Sequence, residues 1–374
     1  MSLARSAVAS RLHRVRAHVR AAELDALVVT HLPNIQYLTG FSGSAGAVVL
    51  LPHSCLLVVD FRYVTAAAAL AAPLDGLVTV NTFENSYDEA LIAILLHEGS
   101  GRVGIEGAYL PVIRFNALAA GLASRAPLPV APAKSAPILV ATERLVERAR
   151  IVKDEAEIAT LREAGRRLAQ VARDVPALVA AGRTELQIAD DIDRALRRAG
   201  FSKPAFDTIV ASGPNGALPH ARPTIRPVQA GEATVLDFGG VYDGYCVDLT
   251  RTVQVGAVSA DIQRLYAAVA EAQQAAIRAV RPGETASVVD AAARSVLERH
   301  GLGAAFGHGT GHGLGLEVHE EPRIGRATPR LPDERLEPGM VFTIEPGAYV
   351  PGVGGVRIED DILVTVSGCE VLTR

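Results

Sequence analysis

The sequence is poor in cysteine, in net charge and in long apolar runs, and each shortage excludes a class of protein. Its 374 residues include three cysteines that are far apart and form no CxxC pair, which excludes a disulfide framework and predicts a reducing, cytoplasmic compartment. The formal net charge of −4 is small for this length, so neither a nucleic acid nor an anionic membrane is indicated as a partner. No run of about 18 or more apolar residues is present, so no membrane span is predicted.

The first 22 residues carry several arginines and no acid, a composition shared with organelle transit peptides. Val8, Leu12, Val15 and Val19 nevertheless recur at steps of three and four residues, as on an amphipathic helix. We therefore favour a helix packed on a core over a targeting segment.

Composition and pattern predict two domains. Apolar residues make up 49% of the chain and charged residues 21%, which is typical of a globular protein with a large core. Short apolar runs alternate with helical periods in the first part, which predicts an α/β domain with a mixed sheet over residues 1–135. Four prolines within residues 126–137 predict a linker at the boundary.

The second predicted domain, residues 136–374, combines helices with strands rich in Val, Ile and Thr. Because its strand signals lie between and after the helices, we expect an α+β domain with a largely antiparallel sheet. The helical pattern predicts four helices, over residues 142–171, 184–199, 260–280 and 288–300.

Residues 236–252 predict a β-hairpin, because apolar runs flank the turn residues Asp243 and Gly244. Asp237 and Asp248 are an odd number of residues apart, so an even-length loop puts both carboxylates on one face, opposite or one pair diagonal. Like charges so placed repel unless a cation lies between them. A solvated hairpin face is the alternative for two acids alone, but the apolar surroundings place these two near a core.

Residues 307–322 hold His308, His312 and His319 together with five glycines. So many glycines exclude a stable helix, so this is not the helical histidine pair of HExxH enzymes. We predict a loop that runs into a strand through Leu314. Strict alternation would point His312 and His319 to opposite faces, so a bulge or turn must intervene if both serve one site. A phosphate-binding loop is disfavoured because the GxGxxG pattern is absent.

Glu345 and Glu359 each end an apolar strand run, where an unpaired ionised carboxylate would be costly. For either acid alone, an ion pair with Arg357 or Arg251 is an adequate explanation. Four such acids beside a histidine cluster are better explained by two divalent cations, whose charge balances four carboxylates. Paired metals can share a water, lower its pKa and polarise a carbonyl oxygen. The motifs therefore predict a metal-dependent hydrolase.

These motifs resemble the pita-bread-fold metallopeptidases, and among them the Xaa-Pro aminopeptidase and prolidase branch. The resemblance covers most of residues 140–374 and extends more weakly over the first domain, at residues 34–44 and 60–63. It implies a creatinase-like α/β N-terminal domain followed by an α+β pita-bread catalytic domain with a curved, largely antiparallel sheet.

The resemblance also implies two divalent metal ions, Mn²⁺ or alternatively Co²⁺ or Zn²⁺. The metal ligands it implies are Asp237, Asp248, His312, Glu345 and Glu359, of which Asp248 and Glu359 bridge the two ions. Glu345 also acts as general base in this scheme, and Arg357 steadies the ligands. His220 matches a position facing the substrate near the leaving nitrogen, while His308 and His319 match positions that shape a proline pocket and stabilise the tetrahedral intermediate.

The implied reaction is hydrolysis of small peptides between the first residue and a following proline. Because residues 206–215 resemble the aminopeptidase group, we expect an aminopeptidase rather than a prolidase restricted to dipeptides. The added N-terminal domain disfavours a methionine aminopeptidase, and the complete ligand set disfavours both creatinase and a non-catalytic binding module. A homodimer is implied because family members are commonly dimers in which one chain's N-terminal domain overhangs the other's active site.

Overall fold

The structure, a computed structural model, describes residues 4–99, 101–125, 136–329 and 333–374. The chain divides into two compact units, Met1–Arg150 and Ile151–Arg374. The predicted linker lies outside the described residues except for its last two positions. The unit boundary falls after Arg150 rather than at residue 135, because the strand Ile138–Thr142 pairs with the sheet of the first unit.

The described part of the first unit alternates short strands with helices. In chain order its elements are α1 (Arg5–Ala21), β1 (Ala26–Val29), α2 (Leu32–Thr39), β2 (Ala47–Leu50), β3 (Cys55–Val59), α3 (Val64–Ala71), β4 (Thr79–Thr82), α4 (Tyr87–Glu98), β5 (Arg102–Glu106), α5 (Val112–Arg125), β6 (Ile138–Thr142) and α6 (Glu147–Ile151), the last of which crosses the boundary.

The six strands described in the first unit form one sheet in the order β4-β3-β2-β1-β5-β6. The pairs β1–β5, β5–β6 and β3–β4 are parallel, whereas β2 pairs antiparallel with both β1 and β3, which confirms the predicted mixed sheet. The predicted amphipathic helix is α1: Val8, Leu12 and Val15 are fully buried and Val19 is nearly so.

The described part of the second unit has helices before and between its strands. They are α7 (Glu155–Asp174), α8 (Glu185–Arg198), β7 (Lys203–Pro204), β8 (Ile209–Ser212), β9 (Ala233–Tyr242), β10 (Tyr245–Gln254), α9 (Ala260–Ala279), α10 (Ala286–Arg299), β11 (Gly311–Gly313), β12 (Glu320–Ile324), β13 (Val341–Ile344), β14 (Gly347–Val350), β15 (Gly354–Arg357), β16 (Asp360–Val364) and β17 (Cys369–Val371). The strand pairs described between them are all antiparallel, as predicted.

The single helix predicted over residues 142–171 is wrong, because Thr142 ends β6 and α7 begins only at Glu155. Asp154 stops the chain from continuing as one helix: its side chain accepts a hydrogen bond from the Glu157 amide, and Glu157 returns one to the Asp154 amide. This capping box satisfies the free amides of a new helix start. Just before it, Val152 forms an isolated antiparallel bridge with Met340, which requires extended backbone.

Two apolar clusters cover different faces of the second unit's strands. Helices α7 and α8 pack on Leu236, Phe238 and Val247 of the β9–β10 hairpin, and α9 and α10 pack on residues of β13 and β16 such as Phe342 and Ile362. Since side chains alternate along a strand, residues between Leu236 and Phe238 face away from α7 and α8. Within the described ranges, none of the helices has the length and hydropathy needed to cross a bilayer.

Candidate metal centre

The hairpin that carries Asp237 and Asp248 forms as predicted. Asp243 and Gly244 join β9 to β10 with φ angles of 47° and 87°, the left-handed conformation that a two-residue hairpin turn requires. The register pairs Asp237 with Thr250, two residues beyond Asp248. The two carboxylates are therefore diagonal neighbours on the hairpin face that is turned away from α7 and α8.

Glu345 and Glu359 lie at the same end of the β13–β16 pair. Glu345 directly follows β13 and Glu359 directly precedes β16, and the last register pair joins Ile344 to Asp360. Glu359 is also tied to the hairpin: its amide donates to the Thr250 carbonyl oxygen at 3.1 Å, and the Thr250 hydroxyl donates to its Oε2 at 2.6 Å. Strand pairing and these two bonds bring both glutamates toward the aspartates.

His312 lies in β11, and the register of β11 with β12 shifts directly after it. The predicted strand through Leu314 is wrong, because the chain turns over residues 314–319, where the Gly315 amide donates to the Glu317 carbonyl oxygen at 3.0 Å. This turn is the bulge or turn that was required between His312 and His319 if both serve one site. It brings the ring centroid of His319 to 4.4 Å from that of His312.

The structure brings the five predicted ligand side chains together. Nε2 of His312 lies 3.8 Å from Oδ2 of Asp248 and 3.5 Å from Oε1 of Glu345. One ligand atom each from Asp248, His312 and Glu359 fall within 4.8 Å of one another. Asp237 is close enough that its charge contributes to raising the pKa of Asp248, Glu345 and Glu359.

Three of the four carboxylates keep one buried oxygen with no hydrogen-bond partner among the described residues: Oδ1 of Asp237, Oδ1 of Asp248 and Oε1 of Glu359. A buried charged oxygen without a partner is costly, and a cation is the group that removes this cost. Carboxylate oxygens with one imidazole suit Mn²⁺, Co²⁺, Fe²⁺ or Zn²⁺. The residues present therefore fit divalent metal ions.

The protonation of His312 also suits a metal ligand. Burial, followed by the nearby His319, lowers the pKa of His312 to about 4, so its imidazole is neutral at pH 7. Its Nδ1 lies 3.0 Å from the Gly313 carbonyl oxygen, which only an N–H can donate to. The lone pair is therefore on Nε2, the atom that faces Asp248 and Glu345.

The acids have the opposite shift. Burial raises the pKa of Glu345 to about 8. Burial, and after it the charge of neighbouring carboxylates, raises the pKa of Asp248 and Glu359 well above the usual range. Without cations Glu345 therefore holds a proton at neutral pH, and Asp248 and Glu359 are shifted in the same direction. Bound cations would displace such protons.

Arg357 connects the acids to the surrounding strands and is only 4% exposed. Its Nη2 donates to Oδ2 of Asp237 at 2.6 Å and its Nε to the Thr250 hydroxyl at 3.2 Å. Its Nη1 donates to the Tyr349 hydroxyl at 2.9 Å and to the Pro219 carbonyl oxygen at 3.2 Å. Burial alone would lower the pKa of Arg357. The negative charge of Asp237, followed by that of Tyr349, outweighs burial, so the pKa of Arg357 is raised overall.

The other three predicted histidines lie around the same space. Nε2 of His308 is 3.0 Å from the Tyr349 hydroxyl oxygen, and burial lowers the pKa of His308 to about 4. Burial also lowers the pKa of His319. His220 is exposed, yet its charge contributes to lowering both pKa values, which places it near His308 and His319.

Sequence reasoning missed Thr250, Tyr349 and Asp361. Asp361 is fully buried, and its Oδ2 accepts a hydrogen bond from the Asp248 amide at 3.1 Å. Thr250 carried a detectable signal, since it is two residues from Asp248 and so lies on the same strand face. Asp361 reaches the Asp248 amide across 113 residues and Tyr349 reaches His308 across 41, and no local pattern contains such contacts.

Two family models match the chain. The model described as "Metallopeptidase family M24" matches residues 159–366, and the model described as "Creatinase/Prolidase N-terminal domain" matches residues 11–152. This chain belongs to metallopeptidase family M24. The M24 match confirms the predicted pita-bread catalytic domain, and the second match confirms the creatinase-like N-terminal domain.

Relatives of this M24 chain are similar to it over nearly its whole length. An Xaa-Pro dipeptidase of Pyrococcus horikoshii is 33% identical over 355 residues, which cover 94% of this chain and 93% of that protein. The structure of an Xaa-Pro dipeptidase from Bacillus anthracis has a TM-score of 0.90 at 33% identity and 98% coverage of both chains. An X-Pro aminopeptidase structure from Thermotoga maritima has a TM-score of 0.82 at 30% identity, with 96% and 97% coverage.

Proposed function

We propose that this M24 peptidase is a metal-dependent Xaa-Pro dipeptidase, a prolidase, that hydrolyses the bond before proline in dipeptides. The observation that carries the proposal is the convergence of four carboxylates and His312. Three of the carboxylates each have one buried oxygen that lacks a hydrogen-bond partner in the part of the chain that the structure describes. The aminopeptidase expected from residues 206–215 is less well supported. Of the three relatives above, the two dipeptidases have the higher identity, 33% against 30%.

In this proposal the site holds two divalent cations, Mn²⁺ or alternatively Co²⁺ or Zn²⁺. The first would be held by Asp237, Asp248 and Glu359, and the second by Asp248, His312, Glu345 and Glu359. Bound cations would lower the pKa of a shared water and polarise the scissile carbonyl group. The three carboxylate oxygens that have no hydrogen-bond partner among the described residues support this assignment, as does the neutral His312 with its lone pair on Nε2.

The side chains around the acids are proposed to move protons and position the substrate. Glu345 accepts a proton from the attacking water and returns it to the leaving proline nitrogen. Neighbouring positive charge favours its ionised form, against burial, which raises the pKa of Glu345 to about 8. Neutral His308 and His319, with His220, face the peptide. Proline is recognisable by shape, because its imide nitrogen carries no hydrogen and its ring is compact and apolar.

Peptide length decides between the two activities. With Mn²⁺ present, the protein is expected to hydrolyse Xaa-Pro dipeptides at least about tenfold faster than Xaa-Pro-Xaa tripeptides, and faster than Xaa-Ala dipeptides, which lack the imide ring. Mass spectrometry of the products measures all three rates. Equal rates on dipeptides and tripeptides would make the protein an aminopeptidase, and intact Xaa-Pro peptides of every length would contradict the proposal.

The substitution Arg357→Lys is expected to weaken metal binding by about 10- to 100-fold. Lysine keeps the positive charge, but one ammonium cannot bond Asp237, Thr250, Tyr349 and the Pro219 carbonyl as the planar guanidinium does. Titration calorimetry with Mn²⁺ measures the change. Arg264→Lys, on an exposed arginine paired within one turn of α9, is the matched control and should bind Mn²⁺ like the parent. Unchanged affinity in Arg357→Lys would contradict the role given to Arg357.

We also propose a homodimer. The carboxyl ends of β1, β3 and β5 lie at one edge of the first unit's sheet, because these strands run in the same direction. Apolar side chains that follow these strands are 37% to 84% exposed: Leu32, Phe61, Tyr109, Val112 and Ile113. Exposed apolar side chains concentrated in this way favour an association surface.

The cytoplasmic location stays a prediction.

A further inference from the structure

Glu185 is a fully buried acid outside the predicted metal site, in the first turn of α8. Its Oε1 accepts hydrogen bonds from the Ser212 amide and hydroxyl, both at 2.8 Å, and from Nδ2 of Asn215 at 3.0 Å. Its Oε2 accepts from the Thr224 amide at 3.0 Å, the Thr224 hydroxyl at 2.7 Å and the same Asn215 nitrogen at 3.1 Å. One carboxylate therefore binds both ends of the stretch from 212 to 224.

This stretch, called here the His220 segment (residues 212–224), carries His220 between the two ends that Glu185 binds. Its middle lies against β15: a Cβ on Gly355 would be 1.9 Å from the Gly216 carbonyl oxygen, so only glycine allows the approach. One residue before His220, the Pro219 carbonyl oxygen accepts from Arg357 at 3.2 Å. The segment is thus held at its ends by Glu185 and at its middle by the strand that carries Arg357.

We propose that Glu185 is a positioning residue that fixes the His220 segment and thereby places His220 against the substrate. This inference rests on the proposed function for the role of His220, but the fixing of the segment does not depend on it. The groups that donate to Glu185 are all neutral. A positive charge lies one bond further away, where Arg226, which is also paired with Glu232, donates to the Ser212 hydroxyl at 2.7 Å. Such a fully satisfied buried network holds one geometry.

Glutamine cannot replace Glu185 without loss. Each carboxylate oxygen accepts from a backbone amide, that of Ser212 on one side and that of Thr224 on the other. A backbone N–H can only donate, so whichever way a glutamine amide is turned, its NH₂ group faces a donor. The variant should still fold, because the Leu186 amide keeps its bond to the Thr224 carbonyl oxygen and the Glu185 amide its bond to that of Arg226.

The test compares Glu185→Gln and the milder Asn215→Ala with a matched control. The control is Gln187→Ala, which removes the capping box of the same helix start but no contact to the His220 segment. Hydrogen exchange of the metal-free protein measures the segment directly. We expect exchange in residues 212–224 to speed up about tenfold or more in Glu185→Gln, less in Asn215→Ala and not at all in the control.

Kinetics with an Xaa-Pro dipeptide provide the second readout. Glu185→Gln is expected to lower kcat/KM by about tenfold to a hundredfold, because a displaced contact residue no longer meets the substrate, while the affinity for Mn²⁺ stays unchanged. The double variant with His220→Ala should be no weaker than His220→Ala alone, since both changes remove the same contact.

The outcomes separate this inference from the proposed function. Unchanged hydrogen exchange of the His220 segment in both Glu185→Gln and Asn215→Ala would overturn the inference. It would also be overturned if the double variant lost as much kcat/KM as Glu185→Gln and His220→Ala lose together. If the parent protein cleaves no Xaa-Pro peptide, the proposed function fails, and the exchange rates alone then support or overturn the fixing of the segment by Glu185.

Discussion

The substitution Glu345→Gln is expected to lower kcat for an Xaa-Pro dipeptide by about 10²- to 10⁴-fold, the usual contribution of a general base. Glutamine has nearly the same shape, but its amide cannot accept a proton from water. The carboxylate also lies 3.5 Å from Nε2 of His312, so its loss removes negative charge from the group of candidate ligands. The amount of bound metal should also fall measurably, but by a smaller factor than kcat.

Rates at saturating Mn²⁺, together with metal content by mass spectrometry, separate these two effects. Glu298→Gln is the matched control, because Glu298 is an exposed acid on α10 and its replacement should leave both quantities unchanged. If Glu345→Gln retained more than about a tenth of the parental kcat with full metal content, Glu345 would not be the base.

Local sequence predicted the first pair of acids correctly because a hairpin fixes its own geometry. Asp243 and Gly244 favour the left-handed turn that was found, and the turn sets the register that puts Asp237 and Asp248 on one face. The alternation of apolar residues with the acids then determined which face is buried. Both steps use residues close together in the chain.

Contacts between distant segments could not be read in the same way. Glu185 has the sequence context of an ordinary first-turn helix acid, where negative charge favours the helix dipole. In the structure its side chain instead binds Ser212 and Thr224, which reach it only after the chain has folded back through β8. The turn before His319 was predicted only on the condition that His312 and His319 serve one site. The sequence could not predict it directly, because glycines allow the backbone many conformations.

Removing the metal ions with a chelator is expected to abolish peptidase activity and to make stability fall as pH rises from about 6.5 to 8.5. Burial raises the pKa of Glu345 to about 8 and also raises the pKa of Asp248 and Glu359. In this window the folded protein holds protons that the unfolded chain has already lost, so raising the pH favours unfolding. Metal ions replace those protons, and the metal-loaded protein should lack this dependence.

The window begins at pH 6.5 because the histidines act in the opposite direction below it. Burial lowers the pKa of His308 and His312 to about 4, so between about pH 4 and 6.5 the unfolded chain binds more protons and stability rises with pH. At pH 6.5 those histidines are neutral in the folded protein but still half protonated in the unfolded chain, so up to about pH 7.5 they offset part of the effect of the acids. Between pH 6.5 and 8.5 Glu345 alone lowers the free energy of unfolding by about 2 kcal/mol, and His308 and His312 together return roughly 0.8 kcal/mol. The net loss of about 1 kcal/mol corresponds to about 2–4 °C in Tm for a unit of this size.

Thermal melts at pH 6.5 and 8.5, with chelator or with Mn²⁺, measure the difference. Glu345→Gln lacks one of the titrating groups. With chelator, its Tm should therefore decrease less between pH 6.5 and 8.5 than that of the parent. A chelated parent that melts at the same or a higher temperature at pH 8.5 would mean that these acids are not held protonated by burial. The case for a site built to receive cations would then lose its electrostatic basis, whatever the distances between the side chains.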